Sequence, residues 1–396
     1  MDQQSDHRRS KHLLLLLSLT AFLFFLGENI QQAPRTQIYE TIICDQMIPW
    51  NSETPPPSSR CKSKVVQEEL AFLKGTERLL GALPTILVIP WSMFAERYGR
   101  CRSLRLALLG VLCEEAWSCL ICWLSDLVPI RLILLAPLFE VVGGGPAIIT
   151  TMIHLLAAEV TTDEKRTTTF FVIRAMGIAA AMLAQLTSSF LMIRNVWVPW
   201  VLGLLCIFLS TLAAPFESTP GFQIPPDETP ILQHSVGRMG SLDRDNVLLS
   251  KKNAGIKSRF VLAAKQLHEG ARTVYGNFSL LVLLGLSFLG QLSEDSLPMI
   301  LLLYISKRFG WEFAQANFLW ALGEGVQFVI LIVLLPQISR ALLTRVHMSA
   351  YGTDFAISIA SATMLSLGTL LLGLGVSIPV AIIGMPTRYS LSLNYR

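Results

Sequence analysis

Charge is scarce in this chain: 15% of its 396 residues are Asp, Glu, Lys or Arg, against roughly 25% in soluble domains. With 52% hydrophobic residues and a mean hydropathy of +0.52, a set of ordinary soluble domains is excluded. Basic residues outnumber acidic ones by only 32 to 28, a net +4. They sit beside apolar blocks rather than in a stripe with aromatics, so no nucleic-acid partner is expected. The six histidines, His7, His12, His154, His234, His268 and His347, stand singly and form no metal-ligand cluster. His268-Glu269 lacks the second His of a zinc-protease motif, and neither GxxxxGK[ST] nor GxSxG occurs. The chain is therefore expected to be no enzyme, with no cofactor and no ATP-driven step.

What is present is a series of apolar blocks, each long enough to cross ~30 Å of hydrocarbon as a helix. Nine fall at 13–30, 70–94, 104–124, 132–153, 170–193, 196–214, 278–304, 314–335 and 355–374, and a partial tenth from 376 is cut off at Pro386. The fold class is an all-α membrane protein. The first block follows Arg8, Arg9 and Lys11, as a signal peptide would, but continues through Gly27, Glu28, Asn29 and Gln31 without a small-x-small cleavage site. It reads as a retained helix. Residues 1–11 form a cytosolic tail, 12–214 a six-helix bundle, 215–277 a cytosolic central loop and 278–396 a second, incomplete bundle. The central loop opens with Pro220, Pro225, Pro226 and Pro230, which read as linker, and 260–274 patterns as an amphipathic helix on the membrane face. Lys and Arg concentrate in the loops that lie inside when the N-terminus is cytosolic, which sets the orientation. On that topology 31–67 is the first outer loop. Its Cys44 and Cys61 are the pair facing the oxidising side and are expected to be bridged, although spacing alone does not bring their Cα atoms together.

The short inner connection Ser92-Met93-Phe94-Ala95-Glu96-Arg97-Tyr98-Gly99-Arg100-Cys101-Arg102 packs an acid, a glycine turn and several arginines between two helices. One carboxylate there can pair with basic groups and helix ends in one conformation and release them in another. The stretch resembles the GxLaDRxGRr loop of the major facilitator superfamily. Arg97, Gly99 and Arg100 match; Ser92 and Glu96 replace its Gly and Asp. Pro34, Tyr39-Glu40, Cys44, Cys61-Lys62, Gly143-Gly144-Gly145, Arg166 and Ser306-Lys307-Arg308-Phe309-Gly310-Trp311 follow in the order found in a fungal branch related to the proton-coupled folate transporter group. The resemblance implies two six-helix halves around a central cavity, of which the second is incomplete here. It also implies a gating role for Glu96, Arg97, Gly99, Arg100 and Arg166.

A charge near the bilayer centre costs ~2.5 to 3.5 kcal/mol on insertion scales, which makes each intramembrane acid a functional candidate. Glu140 lies in span four, which lines the cavity in the resembled family. Glu294 and Asp295 in span seven diverge by about 100° around the helix, so they cannot face one site together. Glu324 sits between Gly323 and Gly325 in span eight, and Glu28 lies near the outer end of span one. Glu114 and Glu115 fall in span three, a scaffold helix in the family, and read as structural. The expected function is secondary transport of a small organic solute by alternating access, proton-coupled through one or more of these acids. Its partners are the lipid bilayer, the solute and protons, in a plasma, vacuolar or endosomal membrane. The alternative is a non-transporting, truncated membrane protein acting as an interaction partner, or a fragmentary gene product. With the N-terminus inside, the sequon Asn277-Phe278-Ser279 lies on the cytosolic side and is expected to remain unglycosylated in microsomes. A glycosidase-sensitive mobility shift lost on Asn277→Gln would reverse the topology.

Overall fold

Backbone N–H and C=O groups in hydrocarbon must pair within their own segment, which favours helix for each apolar block. The computed structural model describes residues 2–48, 60–86, 98–161, 163–215 and 310–344, with short stretches at 276–282 and 302–307 and several single positions. Every regular element among the described residues is helical. In chain order the principal ones are α1 (Asp2–Ile30), α2 (Gln32–Met47), α3 (Lys64–Gly81), α4 (Leu83–Ile86) and α5 (Arg100–Trp123). A 3₁₀ turn (Ile130–Leu135), α6 (Pro137–Val141), α7 (Gly145–Val160), α8 (Asp163–Met192) and α9 (Trp197–Ala213) follow. Then come α10 (Phe313–Val329), a π-helical turn (Ile330–Leu334) and α11 (Leu335–Thr344). Pro336, which cannot donate to the helical ladder, accounts for the π turn just before it.

Five helical stretches among these residues are long and apolar enough to cross a membrane: Lys11–Met47, Arg100–Trp123, Ile130–Val160, Thr168–Met192 and Phe313–Leu342. Trp197–Ala213 is a shorter apolar helix. Most of the expected spans 278–304 and 355–374, and the patterned stretch 260–274, lie outside the described residues.

Three features depart from the sequence reading. The expected first outer loop begins as helix: α2 continues from α1 after Gln31, and Pro34 is tolerated because it falls in the first turn. The second hydrophobic segment begins as helix at Lys64 rather than at 70. Span four, expected to be one helix over 132–153, is broken at Val142 to Gly144, between α6 and α7. Gly144 and Gly145 take φ of 83° and 67°, left-handed values that glycine adopts without a Cβ penalty.

Packing is close where small residues meet. A Cβ on Gly27 of α1 would lie 2.9 Å from the Gly203 carbonyl oxygen of α9, and one on Gly203 would lie 3.0 Å from the Gly27 carbonyl. The two helix backbones therefore touch, as small residues permit within membranes. One apolar cluster joins Leu17 and Phe24 of α1 to Leu104 and Leu108 of α5 and to Ile149 and Met152 of α7. A second joins Tyr39 and Ile43 of α2 to Leu70 and Leu73 of α3, Trp200 of α9 and Phe313 of α10. These elements belong to one unit made of Met1–Ser218 and Met299–Arg396; Thr219–Pro298 is a second unit, in which 278–282 are helical.

A Cβ on Gly143 would collide with the backbone of Ala107 in α5. Gly143→Ala is therefore expected to destabilise by ~1 to 3 kcal/mol, the usual range for overpacking. Gly75→Ala, which has nothing within 4 Å, should leave stability unchanged or raise it. Thermal unfolding of the detergent-solubilised variants compares the two, and equal melting temperatures would refute the close approach.

Candidate functional site

Helix geometry gathers polar side chains of α1, α2, α3, α5 and α6 into the bundle. On α3, Val66, Gln67, Leu70, Leu73, Lys74 and Glu77 are buried, the recurrence of one helix face, so two charged residues share the inward stripe. On α2, Arg35, Tyr39 and the preceding Gln31 recur four residues apart and share a face. On α5, Glu114 and Glu115 are both buried but diverge by about 100°, so each reaches a different partner.

Arg35 Nη1 donates to Glu115 Oε1 at 2.7 Å and lies 3.9 Å from Glu77 Oε1. Lys74 Nζ donates to Glu77 Oε2 at 2.8 Å, and the Tyr39 hydroxyl donates to Glu77 Oε1 at 3.3 Å. The Lys74 ammonium sits 5.2 Å from the Tyr39 ring centroid, and Tyr39 meets Trp200 edge to face at 6.3 Å. Trp200 is fully buried. The other carboxyl of the α5 pair, Glu114, lies within hydrogen-bonding reach of Glu140. Glu28 of α1 and Arg78 of α3 stand in the same electrostatic neighbourhood. Arg35 Nε and Glu115 Oε2 are buried without a hydrogen-bond partner, so this pair retains one donor and one acceptor for a further group.

Glu140 owes its place to the break in span four. It is the penultimate residue of α6, its carbonyl accepts from the Gly144 N–H at 2.7 Å, and a Cβ on Gly145 would lie 3.3 Å from its Oε2. Two indoles satisfy carbonyls of the interrupted segment: Trp91 Nε1 donates to Val141 at 3.0 Å and Trp117 Nε1 to Leu132 at 3.1 Å. A helix interrupted beside an acid inside a membrane bundle is an arrangement that holds ions and polar solutes in transporters. Among the described residues no three His, Cys, Asp or Glu side chains converge as metal ligands.

The remaining sequence candidates fall elsewhere. Glu324 of α10 accepts from the Trp320 indole and lies toward Arg174 of α8 rather than toward Glu140. Cys44 and Cys61 are joined by a disulfide, with Cα atoms 5.1 Å apart. At the opposite end of the bundle Gly99, at φ 101°, immediately precedes α5. Arg100 pairs there with Glu159 near the end of α7, a partner the sequence reading did not name, and Arg166 lies in the first turns of α8. Glu96, Arg97, Glu294 and Asp295 lie outside the described residues. Arg35, Lys74 and Glu77 are not among the sequence candidates: Arg35 falls in the expected outer loop, and the 3.6-residue recurrence of Val66, Leu70, Leu73 and Glu77 is the signal that marks α3.

No protein-family model matches the sequence. The chain is similar to the MFS efflux pump atnC of Emericella nidulans, 29% identical over 331 residues, covering 81% of this chain and 61% of the relative. It is similar also to the MFS-type transporter aprT of Aspergillus flavus, 28% identical over 381 residues, covering 94% of this chain and 71% of that relative. The chain thus spans about three fifths to seven tenths of the length of these relatives. Among solved structures, a D-xylose-proton symporter aligns with TM-score 0.56 at 13% identity, covering 97% of this chain and 80% of the other. The xylose transporter XylE of E. coli in a partially occluded inward-open conformation aligns with TM-score 0.57 at 12% identity, covering 98% and 84%. The chain shares the helical fold of these two solved transporters, and both curated relatives are named as MFS transporters.

The Arg35–Glu115 pair carries a stability consequence. Arg35→Gln leaves a buried carboxylate without its cation, a loss of about 3 to 5 kcal/mol for a pair broken on one side. The double variant Arg35→Gln/Glu115→Gln should recover most of that loss. Chemical or thermal unfolding of the three proteins checks it; additive losses would mean that the two residues do not interact.

Proposed function

We propose that the chain carries out secondary active transport of a small organic solute by alternating access, coupled to protons through Glu140. The observation that supports this reading is the position of Glu140 at a glycine-broken span, within hydrogen-bonding reach of Glu114 and beside the cation-linked cluster of Arg35, Glu77 and Glu115. Two carboxyls so close hold one proton between them more readily than two negative charges. A proton exchanged at that pair changes the charge of the cluster by one and so alters the contacts of a nearby cation. Arg35, with one unused donor, and Glu115, with one unused acceptor, are the groups placed to bind a polar portion of the solute. The placement in a fungal branch related to the proton-coupled folate transporter group belongs to this proposal. So does an N-terminus on the cytosolic side.

In this scheme the Gly99 end of the bundle is the inner gate, where Arg100 and Glu159 hold α5 to α7. Glu96, Arg97 and Arg166 complete the gating set proposed from the sequence. Glu28 is a second proton candidate through its proximity to Glu115 and Glu140. Glu294, Asp295 and Glu324 are retained as proton or solute candidates of the second half.

Glu140→Gln keeps the size and hydrogen bonding of the side chain and cannot release a proton. In proteoliposomes with a trapped pH dye, a panel of organic anions and amphipathic amines is expected to drive proton flux in the parent. Glu140→Gln should abolish that flux while exchange of the same solute under equal pH persists. Proton flux equal to the parent's would remove Glu140 from coupling.

A further inference from the structure

Lys62 joins two parts of the chain that lie far apart in sequence. Its Nζ donates to both carboxylate oxygens of Glu40 in α2, at 2.8 and 3.0 Å, and to Ser306 Oγ at 2.6 Å. The same ammonium lies 4.3 Å from the Phe313 ring centroid at the start of α10. Ser306 is fully buried, accepts from Lys62 and donates to the Trp311 carbonyl at 2.8 Å. Thus one cation is held by the first bundle on one side and by Ser306 and Phe313 on the other.

The two sides are unequal. Toward the first bundle, residues 60–62 are fixed several times over. The Cys44–Cys61 disulfide ties them to α2, and Gln67 donates to both Glu40 and the Cys61 carbonyl. Arg60 reaches Asp45 at 2.7 Å and the Ile48 carbonyl at 3.0 Å. Toward 302–313, Lys62 has one neutral hydroxyl and one aromatic face. If the two sides part, the contacts that yield are those to Ser306 and Phe313, because the ammonium keeps its counter-ion Glu40 throughout and no uncompensated charge is created. A cation bound firmly on one side and weakly on the other has the properties of a reversible closure.

We propose that Lys62 is the pin of a gate at the disulfide end of the bundle, fixed to α2 by Glu40 and Cys61 and released from Ser306 and Phe313 when that end opens. The proposal rests on the alternating-access reading above, but its test measures opening and not transport, so the two can fail separately.

The reporter is Ala314→Cys, a buried position beside Phe313, in the full chain reconstituted in nanodiscs and treated with a membrane-impermeant maleimide. Alkylation at 314 is read by mass spectrometry of the corresponding peptide. Lys62→Met keeps the side-chain stem and removes the charge. It is expected to raise the alkylation rate about tenfold, equivalent to ~1.4 kcal/mol of gate closure, and Lys62→Arg should return it toward the parent rate. The buried native thiol Cys101, in the other apolar cluster, serves as the control for folding and is expected to stay protected in every variant. An unchanged rate at 314 in Lys62→Met would overturn the proposal. A parallel rise at Cys101 would overturn it equally, because Lys62 would then be holding the fold and not a gate.

Discussion

Arg35 meets Glu115 largely shielded inside the bundle, with side-chain exposures of 16% and 4%, and much of the architecture around them follows from the need to pair both charges. The pair forms because α2 continues the line of α1 and carries Arg35 along one helix face to α5. Glu77 would be a second uncompensated acid on α3 without Lys74 one turn away and Arg35 across the interface. Tyr39 and Trp200, both buried, pack edge to face beside this network. Buried ion pairs add little net stability compared with apolar packing, but removing one partner is costly. The arrangement therefore constrains which helices can be neighbours more than it strengthens them.

The break in span four is the complementary constraint. A continuous helix would carry Glu140 past α5 at ordinary packing distance. Gly143 lets α5 and the interrupted segment approach until their backbones touch, and the positive φ values of Gly144 and Gly145 redirect the chain into α7. Interruption frees carbonyls, and Trp91 satisfies that of Val141 beside the break, which makes the break compatible with an apolar setting. In the proposed cycle the same break holds Glu140 against Glu114, so that one proton and its neighbouring cations form a unit with two charge states.

The helical class, the disulfide pair and the acid in span four could be read from the sequence because each has a local signal: block length, compartment, and a charge within an apolar run. The turn of the chain at Gly143 to Gly145 was visible only as permissive composition, since a glycine triplet allows close packing of a straight helix as readily as a break. Arg35 escaped because hydropathy falls after Ile30, although a helix can continue through polar residues when their partners lie on neighbouring elements. The same blindness applied to Lys74 and Glu77, whose burial depends on pairing that no window along one segment can detect. Glu114 and Glu115 were noticed, but their partners, Glu140 and Arg35, are set by the meeting of three elements.

The central proposal is that Glu140, beside Glu114, carries the coupling proton. Infrared difference spectroscopy of the membrane-reconstituted protein across a pH titration tests this directly through the carbonyl stretch of a protonated carboxylic acid. The account predicts a band that titrates, disappears in Glu140→Gln, shifts in Glu114→Gln and is unaffected by Glu324→Gln. A band unchanged by both Glu140→Gln and Glu114→Gln would contradict it.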